Sequence, residues 1–284
     1  MSLSFYPFSV RVRSNEQIRD MLVGKMRDWR FIDCNAMVGN TLNPPPAPLL
    51  TPDALLREMD RFGIEQALFY HNDISKEAIN QRTLETTKMS RRLIPCWALP
   101  MAPVGLDERL ELHVDEMLAA GVKAVRFVQD FGPSAPPLTL RVWELEKTYE
   151  KLNLHRVPVL LDAEHFETPL AASTYGWDQV EEICHTFPEM PLVLLQLRYA
   201  AQAPLIAAMR RHTNLYFTIP WLGLFRQVEG LVKMFGPHRA IFGTNLPYID
   251  PALPVGMVNF GLFTVEQKKL IAGDNLRRLL GGVR

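Results

Sequence analysis

Eight short apolar runs, separated by segments of helical period, constrain this chain more than any other feature. They cover residues 30–33, 66–70, 93–99, 122–128, 157–162, 192–196, 215–219 and 240–243. Each is short, apolar on both faces and bounded by Gly, Pro or polar residues, the pattern of a buried parallel strand. The segments between them carry helix signals. Thr51-Pro52 pairs a cap with a proline at the first helical position, Leu55, Leu56, Met59 and Phe62 follow as a stripe, and Gly63 supplies the stop. Leu110, Val114, Met117 and Leu118 form another stripe, closed by Gly121. Thr264 and Gln267 make a capping box ahead of Leu270, Ile271, Leu276, Leu279 and Leu280.

Strand and helix alternating in this way predict an α/β fold, a closed (β/α)8 TIM barrel, as a single domain over residues 29–284. An open doubly wound sheet is the alternative, and the missing Gly-rich first turn counts against a nucleotide-binding version of it. The 284 residues, 48% of them hydrophobic, are ample for one such core. Residues 1–28 stand apart. Ile18, Met21, Leu22 and Met26 recur at helical spacing there, which predicts an N-terminal helical extension packed on the barrel or on a second subunit. The Pro44-Pro45-Pro46 stretch and the prolines of 133–137 read as stiff rim loops rather than linkers.

Lys plus Arg balance Asp plus Glu at 31 each, with no basic cluster, so neither nucleic acid nor an anionic membrane surface is the expected partner. No apolar run reaches the roughly 18 residues that a membrane span needs. Nothing at the N-terminus reads as a leader. Cys34, Cys96 and Cys184 are too far apart for a zinc-type pair and read as buried residues of a reducing compartment. The expectation is a cytoplasmic protein with a small anionic molecule as its ligand and homo-oligomer formation left open.

Several of the apolar runs end in a polar residue: Asn35, His71, Arg126, Asp162, Gln196 and Asn245. In a barrel these ends converge on one mouth, where ligands bind. The segments that carry them also resemble a known family. Ile32-Asp33-Cys34-Asn35-Ala36-Met37 is similar to the strand-one motif Ile-Asp-x-His-x-His of the amidohydrolase superfamily, in its amidohydrolase-2 branch of metal-dependent hydrolases. Pro158-Val159-Leu160-Leu161-Asp162 and Leu192-Val193-Leu194-Leu195-Gln196 resemble the strand-five and strand-six segments that usually end in histidine. Phe242-Gly243-Thr244-Asn245-Leu246-Pro247 resembles the strand-eight signature Phe-Gly-Ser-Asp-x-Pro. The resemblance extends over residues 29–280.

That resemblance implies a metal held at five positions, which here are Asn35, Met37, Asp162, Gln196 and Asn245. Carboxamides are weak neutral ligands and a thioether suits soft Cu(I). The family's strand-eight aspartate, both metal ligand and base, is an amide in this chain. The expectation is no metal at the usual position and no cofactor.

Asp162 and Glu164, two residues apart on one face of a strand end, are the candidate acid and base. Asn35, Gln196 and Asn245 are candidates to bind substrate through paired donors and acceptors, or else to hydrogen-bond one another. Arg126, a charge inside an apolar run, needs an anionic ligand or a partner such as Asp162. Arg198 is a second carboxylate clamp or a loop cation. His71 is a pocket residue, or with His165, Asp73 and Asp162 part of a displaced metal site. Tyr199, Trp221 and Tyr248 are candidate pocket walls, and Cys34 a nucleophile with no base beside it. The activity expected is metal-independent hydrolysis of a carboxylated lactone, ester or amide, or a related lyase or isomerase step; lactonases of this branch that need no added metal resemble such a case. A non-catalytic descendant that binds a ligand, or serves assembly, is the alternative.

Overall fold

The structure, a computed structural model, describes residues 29–39, 51–72, 78–101, 106–129, 140–163, 176–198 and 201–284. The N-terminal extension, both proline-rich loops and the candidates Asp73, Glu164, His165 and Tyr199 lie outside them.

Nine parallel strand segments occupy the eight positions of a (β/α)8 barrel: β1 (Phe31–Gly39), β2 (Ile64–Asn72), β3 (Leu93–Pro95), β4 (Trp97–Met101), β5 (Val125–Gln129), β6 (Val159–Asp162), β7 (Leu192–Leu195), β8 (Leu215–Thr218) and β9 (Ala240–Ile241). The third apolar run, expected as one strand, breaks at Cys96. Its first half pairs with β2 and its second with β5. Cys96 N donates to Phe69 O at 2.8 Å and Trp97 N to Ala124 O at 2.8 Å, so the change of partner falls between consecutive residues. The other seam closes β1 on the far end of the chain. Cys34 N donates to Phe242 O at 3.1 Å, Met37 N to Leu246 O at 3.1 Å, and the Phe31 and Phe242 rings meet with centroids 4.6 Å apart.

Around the strands run α1 (Pro52–Phe62), α2 (Ile79–Thr87), α3 (Leu106–Ala119), α4 (Glu146–Leu154), α5 (Trp177–Thr186), α6 (Gln202–Arg211), α7 (Gln227–Phe235), α8 (Ala252–Phe260), α9 (Val265–Lys269) and α10 (Asn275–Gly281). Thr51 caps α1 by accepting from Ala54 N, and Gly63 ends it at φ 69°. Thr264 and Gln267 form the reciprocal capping box of α9, with bonds of 3.2 and 2.9 Å. One feature of this region had no signal in the sequence. A π turn, Leu270–Asp274, joins α9 to α10, and Ile271 O accepts from Phe242 N at 3.0 Å just past the short β9. A wider turn of this kind frees a carbonyl from the helix ladder.

Strand alternation divides the core in two. Ile32, Leu68, Ala98, Leu160, Val193 and Ile241 pack together inside the barrel. Phe69, Leu99, Val125, Leu161, Leu194 and Phe217 point outward to meet helix faces such as Leu55 and Met59 of α1 or Leu110 and Val114 of α3. The inward phase at the C-terminal ends of the strands decides which polar side chains enter the mouth.

Candidate functional site

The site begins with an irregularity in β1. Asp33 pairs with Ala67 and Ala36 with Phe69, so β1 uses one more residue than β2 between these points, a β-bulge at Cys34 and Asn35. The buried Asp33 carboxylate holds it in shape. Oδ1 accepts from Asn35 N at 2.9 Å and from Thr244 N at 2.8 Å, and Oδ2 accepts from the Thr244 hydroxyl. Thr244 Oγ1 in turn accepts from Leu246 N at 3.1 Å. Burial pushes the Asp33 carboxyl up to about 6, against the downward pull of these hydrogen bonds.

Arg126 follows from strand phase. Ala124 and Val128 face the barrel interior, and Arg126 lies between them on the same side, 5% exposed. All three nitrogens of its guanidinium donate. Nη2 donates to Asp162 Oδ1 at 2.7 Å and Oδ2 at 2.6 Å, Nε to Oδ2 at 3.2 Å, and Nη1 to Asn35 Oδ1 at 2.7 Å. The Tyr70 ring lies 4.6 Å from the guanidinium carbon. Burial lowers the Arg126 pKa, but the charges of Asp162 and Tyr70 and the hydrogen bond to Asp162 outweigh it, and the net shift is upward.

The remaining members come from strand ends. Asp162 closes β6 in phase with Leu160, its side chain 18% exposed. Gln196 stops β7 by turning left-handed, φ 54°, and its Nε2 donates to Asp162 Oδ1 at 2.6 Å. Asn245 turns left-handed in the same way, φ 59°, a conformation that Asn tolerates better than most residues. Asn35 Nδ2 donates to Asn245 Oδ1 at 3.1 Å, while Asn245 Nδ2 is buried without a partner among the described residues. Met37 Sδ accepts from Tyr70 OH at 3.2 Å, and burial raises that phenol to about 12.

Five of the expected residues, Asn35, Arg126, Asp162, Gln196 and Asn245, thus form one hydrogen-bonded network. His71 does not join it. Leu68 and Tyr70 face inward, so His71 faces the helices, where its N donates to Thr83 Oγ1 at 2.9 Å and its Nε2 lies 3.1 Å from Thr86 Oγ1 on α2. Arg198 stacks over Trp221 at 5.8 Å. The Cys34 thiol is buried and held well above its ordinary pKa by desolvation, which disfavours a thiolate nucleophile. Asp33, Tyr70 and Thr244 are part of the site but were not singled out from the sequence. Asp33, a carboxylate inside an apolar run, was the signal available.

The donor set does not fit a divalent metal. Among the described residues no group of three or more His, Cys, Asp and Glu side chains could hold an ion. The one carboxylate at a ligand position, Asp162, already faces a guanidinium, and the other positions offer amides and a thioether. A groove of about 240 Å³ between α7 and α8, lined by Leu222, Met257 and Phe260, contains none of the network residues.

The fold has solved counterparts. An uncharacterized TIM-barrel protein from Bordetella bronchiseptica superposes with a TM-score of 0.70 at 16% identity, over 89% of this chain and 98% of that one. The 2,6-dihydroxybenzoate decarboxylase from Rhizobium gives 0.67 at 14% identity, over 88% and 98%. A dihydroxybenzoic acid decarboxylase from a Polaromonas species, holding manganese and the inhibitor 2-nitroresorcinol, gives 0.65 at 14% identity, over 88% and 96%. No curated protein sequence matches the chain. The amidohydrolase family model matches residues 35–282, from the first of the network residues almost to the C-terminus. Closed barrel, strand-end positions and family model agree, and the chain belongs to the amidohydrolase-2 family.

Proposed function

We propose that this protein acts on a small carboxylated molecule at the barrel mouth without a metal. The reaction would be hydrolysis of a lactone, ester or amide, or a related lyase or isomerase step. The observation that supports it is the Asp162 carboxylate, seated at the end of β6 and still 18% exposed while Arg126 and Gln196 fix its plane. A carboxylate oriented this way is suited to take or deliver one proton at a fixed point. Arg126 supplies positive charge behind it, and Gln196 and Asn245 offer amides to orient substrate. Arg198 is a second cation for a substrate carboxylate. Glu164, two residues further on in the sequence and outside the described residues, remains the candidate partner acid.

A specific observation also favours the non-catalytic reading: both Asp162 oxygens already accept hydrogen bonds, and the amide of Asn245 takes the place of a base. One experiment separates the two. Chelator-treated protein is assayed against carboxylated lactones, esters and amides. Hydroxybenzoates are included because the solved neighbours are named for decarboxylating them. The catalytic reading expects turnover that persists in chelator and falls roughly 10²–10⁴-fold in Asp162→Asn. Turnover that needs an added divalent ion, or that survives in Asp162→Asn, overturns it. Thermal stabilisation by a carboxylate without turnover supports the ligand-binding reading.

A further inference from the structure

All five positions that the family resemblance marks for metal ligands lie within two contacts of one guanidinium. Asn35 and Asp162 touch Arg126 directly. Gln196 reaches it through Asp162, Asn245 through Asn35, and Met37 through Tyr70. The polarity of the contacts is consistent as well. Asn35 and Asp162 both turn oxygens toward Arg126, as they would toward a metal ion, and Tyr70 presents its ring face. We infer that the Arg126 guanidinium is a built-in cation standing in for the metal, so that this mouth excludes a divalent ion instead of merely binding one weakly.

The physical reason is charge and geometry together. A second cation would meet a like charge that cannot be deprotonated and a carboxylate already neutralised by it. A planar fork also donates readily to a neutral amide oxygen that would bind zinc or manganese poorly, as Nη1 does to Asn35, while Gln196 and Asn245 join one contact further out through Asp162 and Asn35. Arg126 and its surroundings then behave as a set: the cation needs Asp162, and Asp162 needs the cation.

The inference rests on the metal-free reading of the site but not on the chemistry assigned to Asp162, and its test is chosen accordingly. Wild-type protein, expressed with zinc and manganese supplied, is analysed for bound metal and melted with and without each ion and with chelator. Asp162→Asn, Arg126→Met and the double variant are melted alongside. The wild type should hold far less than one ion per chain, with a midpoint unmoved by metal or chelator. Asp162→Asn orphans a buried cation and should lose roughly 10 °C. The double variant, which removes both charges of the Arg126–Asp162 pair, should melt above Asp162→Asn even if Arg126→Met alone fails to fold. One tightly held ion per chain with a chelator-sensitive midpoint overturns both this inference and the metal-free function. A double variant that melts no higher than Asp162→Asn overturns the inference alone. Absence of turnover with the melting pattern intact leaves it standing.

Discussion

Asn35 and Asn245, 210 residues apart in sequence, meet across the closing seam of the barrel, where Asn35 Nδ2 donates to Asn245 Oδ1 at 3.1 Å. The same Asn35 accepts from Arg126 through its oxygen. One carboxamide therefore ties the seam to the buried cation, with donor and acceptor assigned by what each end faces.

Replacing Asn35 tests that double role. Asn35→Ala leaves Arg126 Nη1 and Asn245 Oδ1 without their partner and should cost about 2–4 kcal/mol in urea denaturation. Asn35→Asp keeps the acceptor for Arg126, and the loss should be roughly half as large or less. Equal losses from the two would show that Arg126 does not depend on this oxygen.

Asp33 gives stability a pH dependence of known sign. Its folded-state pKa, about 6, lies above the ordinary 3.8, so the folded state keeps a proton that the unfolded chain has already released. Its contribution is fully present below about pH 4 and is lost as pH rises through about 6, a change of about 3 kcal/mol. The stability of wild type relative to Asp33→Asn should therefore fall by that order between pH 4 and pH 7, read from urea midpoints. A difference that stays constant with pH would place the titration elsewhere.

The seam should be as costly to open as a core. Phe31 and Phe242 are both fully buried with their rings in contact, and Phe242→Ala should cost about 3–5 kcal/mol. Phe225, 90% exposed, is the control: Phe225→Ala should change stability by less than about 0.5 kcal/mol.

Two glycines separate backbone strain from crowding. Gly121 ends α3 at φ 71° with nothing within 4 Å of an added Cβ, so Gly121→Ala should cost only the left-handed conformation, about 1–2 kcal/mol. Gly39 ends β1 at φ 98°, where a Cβ would press on Asn72 O of β2. Gly39→Ala should be clearly worse than Gly121→Ala by the same denaturation assay.

Much of the barrel was legible in the sequence because its determinants are local. The cap and stop of α1, the stripe of α3 and the box of α9 are written within a few residues of where they act. The eight apolar runs follow from burial on both faces of a parallel sheet, which composition records directly. Those signals do not report partners. The third run looks uniform, yet it splits at Cys96 because its two ends face different neighbours. His71 and Arg126 both sit in or beside apolar runs, and only strand phase sends one toward α2 and the other into the mouth.

The sequence by itself determined the alternation of strand and helix, the family and the polar residues offered at the strand ends. Tertiary structure alone decided how those residues are used. The bulge held by Asp33 and Thr244 aims Asn35, the left-handed turn at Gln196 ends β7, and a second left-handed turn at Asn245 follows the segment beyond β9. Closing the barrel then joins four residues from other strands and the turns that follow them, Asn35, Asp162, Gln196 and Asn245, around Arg126. A hydrogen bond needs atoms within about 3 Å, and a linear chain carries no record of which distant atoms come that close.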